Sequence, residues 1–279
     1  METRELRYFV AVAECLHFGR AAERLGIAQP PLSRAIQQLE RRLGTRLLER
    51  SSRGVVLTAA GEVLLREARA AIDAVEAAER RTRRAGRTTA SIALSTKAGA
   101  TNELLAKLLQ AYAAEPDAVP VEVVLSGIGE QEQVLRDGRA DVALLHRPFD
   151  STDGFDTEEL LSEGQVAVLP AGHPLTTSTH LRMAEVADIP DLPLPRMAQS
   201  DGTYPPGPGP RVRDHTQLLQ LIALGRACMI APESCQGQLH DDLRAVPIVD
   251  APTVTTVIAW PPHSRSTAVA ALIRTALRL

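Results

Sequence analysis

The stretch LHFGRAAERLGIAQPPLSR at residues 16–34 decides the fold of the first part of this chain. The small and apolar residues at 20–25 predict a short helix, and Gly26 ends it because glycine readily adopts the left-handed conformation at a helix C-terminus. A second helix starts at Pro30, where the missing N–H costs little because first-turn donors are unpaired in any helix. Two helices joined by such a tight turn predict a helix-turn-helix.

The helix that begins at Pro30 has one apolar and one polar face. The apolar residues recur at spacings of three and four, and they are Leu32, Ile36, Leu39 and Leu43. The opposite face carries Pro30, Ser33, Arg34, Gln37 and Arg41. Gln pairs with adenine and Arg with guanine in the major groove of DNA, so this face is a candidate for reading bases. An ordinary surface helix is the alternative interpretation.

Segments on both sides complete this unit. Residues 6–16 carry apolar residues at helical spacing, which predicts one more helix, before the two helices of the helix-turn-helix. Residues 46–50 and 55–57 predict two strands, with Arg53 at the tip of the turn between them. A two-stranded wing that carries Arg suits a phosphate or a minor groove. Thr58, which follows the second strand, is the predicted N-cap of a long helix.

Charge is distributed unevenly along the chain. Residues 1–90 contain 17 Arg and no Lys against 11 Asp and Glu, a net charge of +6 in a chain whose formal net charge is −3. The remainder therefore carries −9. A basic N-terminal block on an acidic body is typical of a protein that binds a polyanion with one domain only. A basic face that is merely solvated is the other interpretation.

Composition excludes several classes of protein. The chain has 279 residues, 44% hydrophobic and 23% charged, which is typical of two or three globular domains. It has neither an apolar run long enough to cross a bilayer nor a signal pattern at its start, so we expect a cytoplasmic protein without membrane contact. The three cysteines lack CxxC spacing and the seven histidines lack HExxH spacing, so we expect no disulfide framework, metal or cofactor. Hydrolase and nucleotide-binding fingerprints are missing too, and we expect no enzyme.

Residues 91–279 alternate between predicted strands and predicted helices. The predicted strands are residues 91–95, 121–125, 141–145, 165–169, 192–194, 227–231 and 253–260. The predicted helices are residues 102–112, 130–136, 183–186, 214–224 and 267–277. Alternation of this kind predicts α/β layers around mostly parallel sheets.

Several motifs resemble those of the LysR-type transcriptional regulators, and in particular the branch that regulates the breakdown of aromatic compounds. In the N-terminal part they are residues 16–25 and 28–34 of the stretch quoted above, LER at 48–50 and LTAAG at 57–61. In the C-terminal part they are DGRADV at 137–142, GHPL at 172–175 and IAPES at 230–234. Together these motifs cover essentially the whole chain.

This resemblance implies three parts. They are a winged helix-turn-helix DNA-binding domain at residues 1–58, a linker and dimerisation helix at 59–88 and an effector-binding domain at 89–279. The effector domain would have the two-lobed α/β fold of periplasmic binding proteins. Lobe I would span about 89–161 and 262–279, and lobe II about 162–261.

The resemblance also implies which residues contact DNA. From the recognition helix and the wing they are Gln29, Pro30, Ser33, Arg34 and Arg53. The full set that we predict to bind an operator in double-stranded DNA is Arg20, Gln29, Pro30, Pro31, Ser33, Arg34, Gln37, Arg50 and Arg53. His17 departs from the family, because many relatives carry a small hydroxyl residue there that binds phosphate. Histidine can still donate to a phosphate.

The long helix after Thr58 has a candidate pairing face. Residues 58–84 contain no Pro and are rich in Ala, Glu and Arg. A heptad seam runs along them through Leu64, Ala68, Ala71, Val75 and Ala78. A helix that packs on its own chain would show the same pattern. In the family that the chain resembles, this helix pairs antiparallel with its copy in a second chain, so we expect a homodimer or homotetramer.

A ligand would lie where strand ends and helix N-termini face a crevice between the lobes. The residues that we expect to line it are Ser95, Thr96, Thr101, Gly127, Ile128, Arg147 and Cys228. Hydroxyls, backbone N–H groups and one Arg suit a carboxylate, with Arg147 as its expected partner. Each hydroxyl could instead cap a helix, and Arg147 could pair with an acid such as Asp150. Relatives that bind unsaturated diacids often carry a hydroxyl where Ile128 stands, which leaves the ligand's identity open.

These observations predict a DNA-binding transcriptional regulator whose operator binding responds to a small anionic metabolite. Two alternatives remain open. Cys228 and Cys235 could form a thiol switch, although both lie in or beside a predicted buried strand, where cysteines are usually inert. The C-terminal part could also be a solute-binding or enzymatic α/β domain with an accessory DNA-binding module, which would need a nucleophile paired with a base.

Overall fold

The structure, a computed structural model, describes residues 1–51, 54–86, 90–99, 102–127, 129–198 and 203–279. The chain divides into two compact units. Unit 1 comprises Met1–Arg83 with Arg136–Gly138, and unit 2 comprises Arg84–Leu135 with Arg139–Leu279. Within the described ranges, no helix has the length and apolar character needed to cross a membrane.

Unit 1 is a helical unit with a small hairpin. Its elements are α1 (Thr3–Cys15), α2 (Phe18–Leu25), α3 (Gln29–Leu43), β1 (Leu48–Ser51), β2 (Gly54–Leu57) and α4 (Ala59–Ala85). α2 ends at Gly26, whose φ of +65° is left-handed, which confirms the predicted turn. β1 and β2 pair antiparallel with Leu48 opposite Leu57, which confirms the predicted hairpin.

The apolar faces of the unit 1 helices meet in one core. Phe9 of α1 and Leu39 of α3 are fully buried there. Leu64 and Ala68 of α4 belong to the same core. The first half of α4 is therefore held by the helices that precede it in the chain.

The start of α4 is fixed by a cap and a close backbone approach. Oγ1 of Thr58 accepts a hydrogen bond from the Gly61 backbone N–H at 3.0 Å, which confirms the predicted N-cap. A Cβ on Gly61 would lie 2.1 Å from the carbonyl oxygen of Leu47. Only glycine lets the helix pass this close to the strand.

Unit 2 contains the remaining elements. Its strands are β3 (Ile92–Lys97), β4 (Val121–Ser126), β5 (Val142–Arg147), β6 (Asp156–Glu163), β7 (Gln165–Pro170), β8 (Arg196–Met197), β9 (Arg211–Val212), β10 (Met229–Pro232), β11 (Leu243–Ile248) and β12 (Val254–Trp260). Its helices are α5 (Asn102–Ala113), α6 (Gln131–Arg136), α7 (Met183–Ala187), α8 (His215–Ala223) and α9 (Thr267–Ala276), with 3₁₀ helices at Pro174–Thr177 and Glu233–Gln238.

These elements form two lobes, each on its own sheet. Lobe I has five strands in the order β4-β3-β5-β12-β6, with α5 and α9 against one face and Leu135 of α6 against the other. Lobe II has three strands in the order β10-β7-β11, and α8 packs on them through Leu218 and Ile222. Because β3 pairs parallel with β4 and β5, the carboxyl ends of these three strands lie at one edge of lobe I.

The architecture corrects three expectations for this part of the chain. The sheets are not mostly parallel, because β12 runs antiparallel to β5 and β6, and β7 runs antiparallel to β10 and β11. Residues 192–194 do not form a strand, and the two-residue strand Arg196–Met197 follows them. β12, which we expected in lobe II, lies in the lobe I sheet. A buried apolar strand shows its own conformation in sequence but not which strand it pairs with.

Candidate functional site

The exposed face of α3 is the first candidate site. Three of the four residues predicted on its inward face, Leu32, Ile36 and Leu39, are fully buried, but the fourth, Leu43, is 42% exposed, so the inward face ends at Leu39. The predicted DNA-contacting residues Gln29, Pro30, Pro31, Arg34 and Gln37 are exposed, and Ser33 is half-buried. The guanidinium of Arg34 makes no hydrogen bond or ion pair with any described residue. α3 thus presents exposed polar side chains on the face opposite a packed core.

Many other arginines of the basic block are engaged within unit 1. Arg24 and Arg69 both pair with Glu14, at 2.6 and 2.8 Å. Partial burial alone would raise the pKa of Glu14, but hydrogen bonds from these two arginines outweigh it and lower the pKa. Arg42 pairs with Glu5 at 2.7 Å. The net charge of this block therefore overstates the number of cations free to meet a polyanion.

The N-terminus of α2 shows what His17 does in this chain. Nδ1 of His17 accepts a hydrogen bond from the Arg20 backbone N–H at 3.2 Å and caps the helix. In the neutral ring Nε2 then carries the proton, and the exposed side chain can donate it outward. The guanidinium of Arg20 is exposed and donates to the Cys15 carbonyl oxygen at 2.7 Å. Arg53 and the side chain of Arg50 lie outside the described residues.

The predicted seam of α4 divides into two parts. Leu64 and Ala68 are 9% and 0% exposed in the core of unit 1, so the structure corrects their assignment to a face that pairs with a second chain. Ala71, Val75 and Ala78 are exposed, with Val75 at 46%. The heptad spacing could not separate the two parts, because a core of the same chain and a partner helix demand the same apolar residues.

A cavity of about 400 Å³ lies between the two lobes of unit 2, and we call it the interlobe cavity. Lobe I contributes Lys97, Ala98, Gly99, His146 and Phe149. Lobe II contributes Leu194, Pro195, Met197, His215, Leu218, Met229, Ile230, Ala231, Pro232, Ser234, Cys235 and Gln238. The wall is mostly apolar, and Lys97 is the only Lys or Arg among these residues.

A polar cluster occupies the lobe I side of this cavity. Oδ2 of Asp150 accepts a hydrogen bond from the His146 backbone N–H at 2.8 Å and lies 3.5 Å from Nδ1 of the same residue. Nζ of Lys97 lies 3.9 Å from Oδ1 of Asp150. Burial would raise the pKa of Asp150, but His146 and Lys97 outweigh it and hold that pKa below its usual value. Asp150 is therefore ionised near neutral pH.

Gly99 and His215 meet across the cavity. Gly99 has a φ of +81°, and a Cβ there would lie 2.7 Å from Cδ2 of His215. Burial lowers the pKa of His215 against the opposing charge of Asp214, so its ring is neutral at neutral pH. A glycine at position 99 allows the two lobes to approach this closely.

Several predicted ligand residues lie elsewhere in unit 2. Ser95 and Thr96 are buried, and Oγ of Ser95 forms a hydrogen bond with Oγ of Ser126 at 2.7 Å. Sγ of Cys228 donates to the Leu192 carbonyl oxygen. The Gly127 N–H donates to Glu130 at 2.9 Å. None of these predicted residues lines the interlobe cavity, and Thr101 and Ile128 lie outside the described residues.

Arg147 also lies outside the cavity lining. Its guanidinium donates to Oε1 of Glu159 on β6 at 2.5 Å. The expectation that it binds a ligand carboxylate is corrected to a surface ion pair, with Glu159 rather than Asp150 as the partner. Successive side chains of a strand point to opposite faces, so His146, one position earlier on β5, lines the cavity instead. Sequence reasoning missed His146 and Lys97, although both stand at the carboxyl ends of predicted strands.

The structure also bears on two other kinds of site, a thiol switch and a metal site. Burial raises the pKa of Cys228 and of Cys235 to about 11, so neither thiol supplies much thiolate at neutral pH. Among the described residues, no three His, Cys, Asp or Glu side chains form a group that could hold a metal ion.

Comparison with known proteins gives matches to both units. A family described as "Bacterial regulatory helix-turn-helix protein, lysR family" matches residues 3–62, and "LysR substrate binding domain" matches residues 85–279. The HTH-type transcriptional regulator AlsR of Bacillus subtilis is 37% identical over 71% of this chain and 66% of its own length. The Hca operon transcriptional activator HcaR of Escherichia coli is 39% identical over 68% of this chain and 64% of its own length.

The fold also has relatives among solved structures. Full-length CbnR, determined in complex with its target DNA, superposes with a TM-score of 0.53 at 26% identity. The match covers 100% of this chain and 99% of that chain.

Proposed function

Because the chain belongs to the LysR family of bacterial transcriptional regulators, we propose that a small anionic metabolite in the interlobe cavity controls its binding to a DNA operator. The observation that carries the proposal is the cavity itself. Its volume of about 400 Å³ is in the range of small-molecule sites, and its wall is apolar apart from a few polar groups. A ligand that binds there would change operator binding only through different affinities for two arrangements of the protein.

An anionic ligand is favoured by the groups at the cavity wall. Lys97 supplies an ammonium group. His215, the first residue of α8, also lines the cavity, so the N-terminus of that helix adds partial positive charge. The apolar wall suits a flat hydrocarbon body, and the chain resembles the branch of its family that regulates the breakdown of aromatic compounds. We therefore propose an aromatic carboxylate whose carboxylate pairs with Lys97.

The operator would be read by the exposed face of α3. Gln29 and Arg34 would contact base edges, with Pro30, Ser33 and Gln37 beside them. Phosphate contacts would come from Arg20, Arg50 and Arg53, and from Nε2 of His17, whereas Pro31 would make only an apolar contact with the DNA. The exposure of these α3 side chains and the guanidinium of Arg34, which has no partner among the residues that the structure describes, support this assignment.

The regulator would bind its operator as a dimer or a dimer of dimers. Ala71, Val75 and Ala78 form a short exposed apolar stripe on α4, and we propose that it pairs with the same stripe of a second copy. Such pairing places two recognition helices on one duplex. The protein would act in the cytoplasm, where its operator is, and without catalysing a reaction.

Footprinting on the DNA upstream of the gene, with benzoate as the first probe, tests this proposal. We expect benzoate to change the protected region, because it shifts the balance between two arrangements of the protein. Lys97→Met should raise the benzoate concentration needed by about tenfold or more, since it removes the carboxylate's partner. Arg147→Met is the matched control and should stay within about twofold, because Arg147 pairs with Glu159 outside the cavity.

The footprinting experiment includes a control for folding and has two outcomes that would contradict the proposal. Both variants should protect the same DNA as the wild type when no ligand is added, which shows that they are folded. Equal responses of the two variants to benzoate would contradict the assignment of Lys97. A wild-type footprint that none of a series of aromatic carboxylates changes would contradict the proposed ligand class.

A further inference from the structure

A buried histidine at the interlobe cavity has one ring nitrogen without a hydrogen-bond partner. His146 is 3% exposed, its Nδ1 lies 3.5 Å from Oδ2 of Asp150, and its Nε2 forms no hydrogen bond with a described residue. Its cross-strand neighbour Thr256 is 0% exposed, and the Thr256 hydroxyl also lacks a partner within the described part of the chain. Buried polar side chains are almost always hydrogen-bonded in folded proteins. These two residues therefore indicate a binding position for a polar group of a ligand.

Asp150 sets the proton position on this ring. Its ionised Oδ2 is anchored by the His146 backbone N–H and lies 3.5 Å from Nδ1. A carboxylate at Nδ1 favours the tautomer that carries the proton there. In the neutral ring Nε2 is then an acceptor with a free lone pair. Asp150 is thus a positioning residue, and the group that completes the site must be a hydrogen-bond donor.

We infer that Nε2 of His146 accepts a hydrogen bond from a ligand hydroxyl, so that the regulator selects hydroxylated aromatic carboxylates over the unsubstituted acids. The inference rests on the proposed function, in which the carboxylate pairs with Lys97. Lys97 and His146 lie on either side of Asp150, so the same aspartate holds both groups. Phe149, Leu194 and Met197 line the cavity beside them and would contact the ring of the ligand.

A hydroxyl discriminates strongly when its acceptor is buried. A ligand without the hydroxyl leaves Nε2 without a partner, and a ligand with a methoxy group at that position brings one acceptor against another. Sites built to hydrogen-bond a substrate hydroxyl reject analogues that lack it. The preference is therefore a property of His146, whereas the affinity for any aromatic acid is a property of Lys97 and the apolar wall.

Calorimetric titration of the full-length protein with matched acids measures this preference. The probes are benzoate, the three monohydroxybenzoates and the three methoxybenzoates. We expect one hydroxybenzoate isomer to bind about tenfold or more tightly than benzoate, and its methoxy counterpart to bind no more tightly than benzoate. His146→Leu should bring the ratio between hydroxybenzoate and benzoate to about one, and His146→Gln should retain part of it because its amide oxygen accepts. His215→Leu is the control, which changes both affinities and leaves their ratio as in the wild type.

The results separate failure of this inference from failure of the proposed function. Equal binding of benzoate and all three hydroxybenzoates would overturn the inference and leave the cavity as an anion site. A methoxybenzoate that binds as tightly as its hydroxy counterpart would overturn it too, because His146 would then be a donor. If none of these acids binds, the proposed ligand class fails and the inference with it.

A measurement without ligand tests the tautomer directly. In protein labelled with ¹⁵N-histidine, the His146 signals are assigned by their loss in His146→Gln. In the neutral ring we expect a protonated Nδ1 and an unprotonated Nε2. A ring with its proton on Nε2 would overturn the inference whichever ligand binds.

Discussion

The recognition surface of α3 and the interlobe cavity differ in how far apart their residues stand in the chain. The polar face of α3 is contained in the 15 residues Gln29–Leu43. The cavity wall runs from Lys97 to Gln238 and draws on both lobes. The two surfaces are therefore built by different kinds of contact, local periodicity in one and long-range packing in the other.

This difference decides whether a substitution can change the stability of the protein without also changing its binding. In α3 the core residues and the binding residues lie on opposite faces, so each set can be changed without touching the other. At the cavity, Gly99 and His215 are both wall residues and packing partners. We therefore expect binding and stability to separate in unit 1 and to be coupled in unit 2.

The largest effect is expected on the inward face of α3. Leu39→Ala should lower the free energy of unfolding by about 2–5 kcal/mol, because it leaves a cavity in the core of unit 1. Urea unfolding followed by circular dichroism measures it. The exposed neighbour Gln38→Ala is the control and should stay within about 0.5 kcal/mol of the wild type. The operator affinity of the folded protein should be unchanged in both variants, and a loss of operator affinity in Leu39→Ala would contradict the proposed separation.

The next effect concerns the outer face of the same helix. Arg34→Ala should weaken operator binding by about 1–3 kcal/mol with unchanged stability, because the side chain is exposed and forms no hydrogen bond or ion pair with another described residue. Arg34→Lys keeps the charge but cannot form the bidentate hydrogen bonds of a guanidinium. This variant should therefore bind the operator less tightly than the wild type does, and random DNA as tightly. Fluorescence anisotropy at fixed salt measures both affinities. An equal loss of affinity for operator and random DNA in Arg34→Ala would show a phosphate contact in place of a base contact.

The same contrast explains what could be predicted from the sequence. The two faces of α3, the turn at Gly26 and the cap at Thr58 depend on residues at most four positions apart, and the structure confirms all three. The seam on α4 was half wrong, because Leu64 and Ala68 are buried by helices that lie far earlier in the chain. Short-range patterns show that a residue is buried but not what buries it.

In unit 2 the prediction found β3 and β5, which carry the lobe I side of the cavity, but it missed β6 and β11 and chose the wrong side chains for the cavity wall. We expected Arg147 at the ligand, but the neighbouring His146 lines the cavity, since a shift of one residue reverses the face of a strand. The expected lining includes Thr96, whereas the next residue, Lys97, is the one that lines the cavity. His215 could not have been found at all, because nothing in its own segment shows that it faces Gly99, which lies more than a hundred residues earlier.

The smallest expected effect tests the coupling at the cavity itself. Gly99→Ala and Gly225→Ala both place a side chain on a glycine of positive φ, at +81° and +64°. The backbone strain should lower the stability of each by about 1 kcal/mol. Only at Gly99 does the new Cβ meet another side chain, since Gly225 has no described atom within 4 Å of that position. The difference between the two variants therefore measures the contact with His215.

We expect Gly99→Ala to be less stable than Gly225→Ala by about 1 kcal/mol, the lower end of the effect of overpacking. It should also bind benzoate more weakly, because the added methyl group forces the lobes apart where the ligand lies between them. Gly225→Ala should bind as the wild type does. Removing the opposing ring in Gly99→Ala/His215→Ala should recover most of the extra loss of stability, and the non-additivity of that double-mutant cycle identifies the contact. If Gly99→Ala instead loses stability but keeps its benzoate affinity, the lobes are already apart when the ligand is bound. Stability and ligand binding could then be changed independently at the cavity, as they can on the two faces of α3.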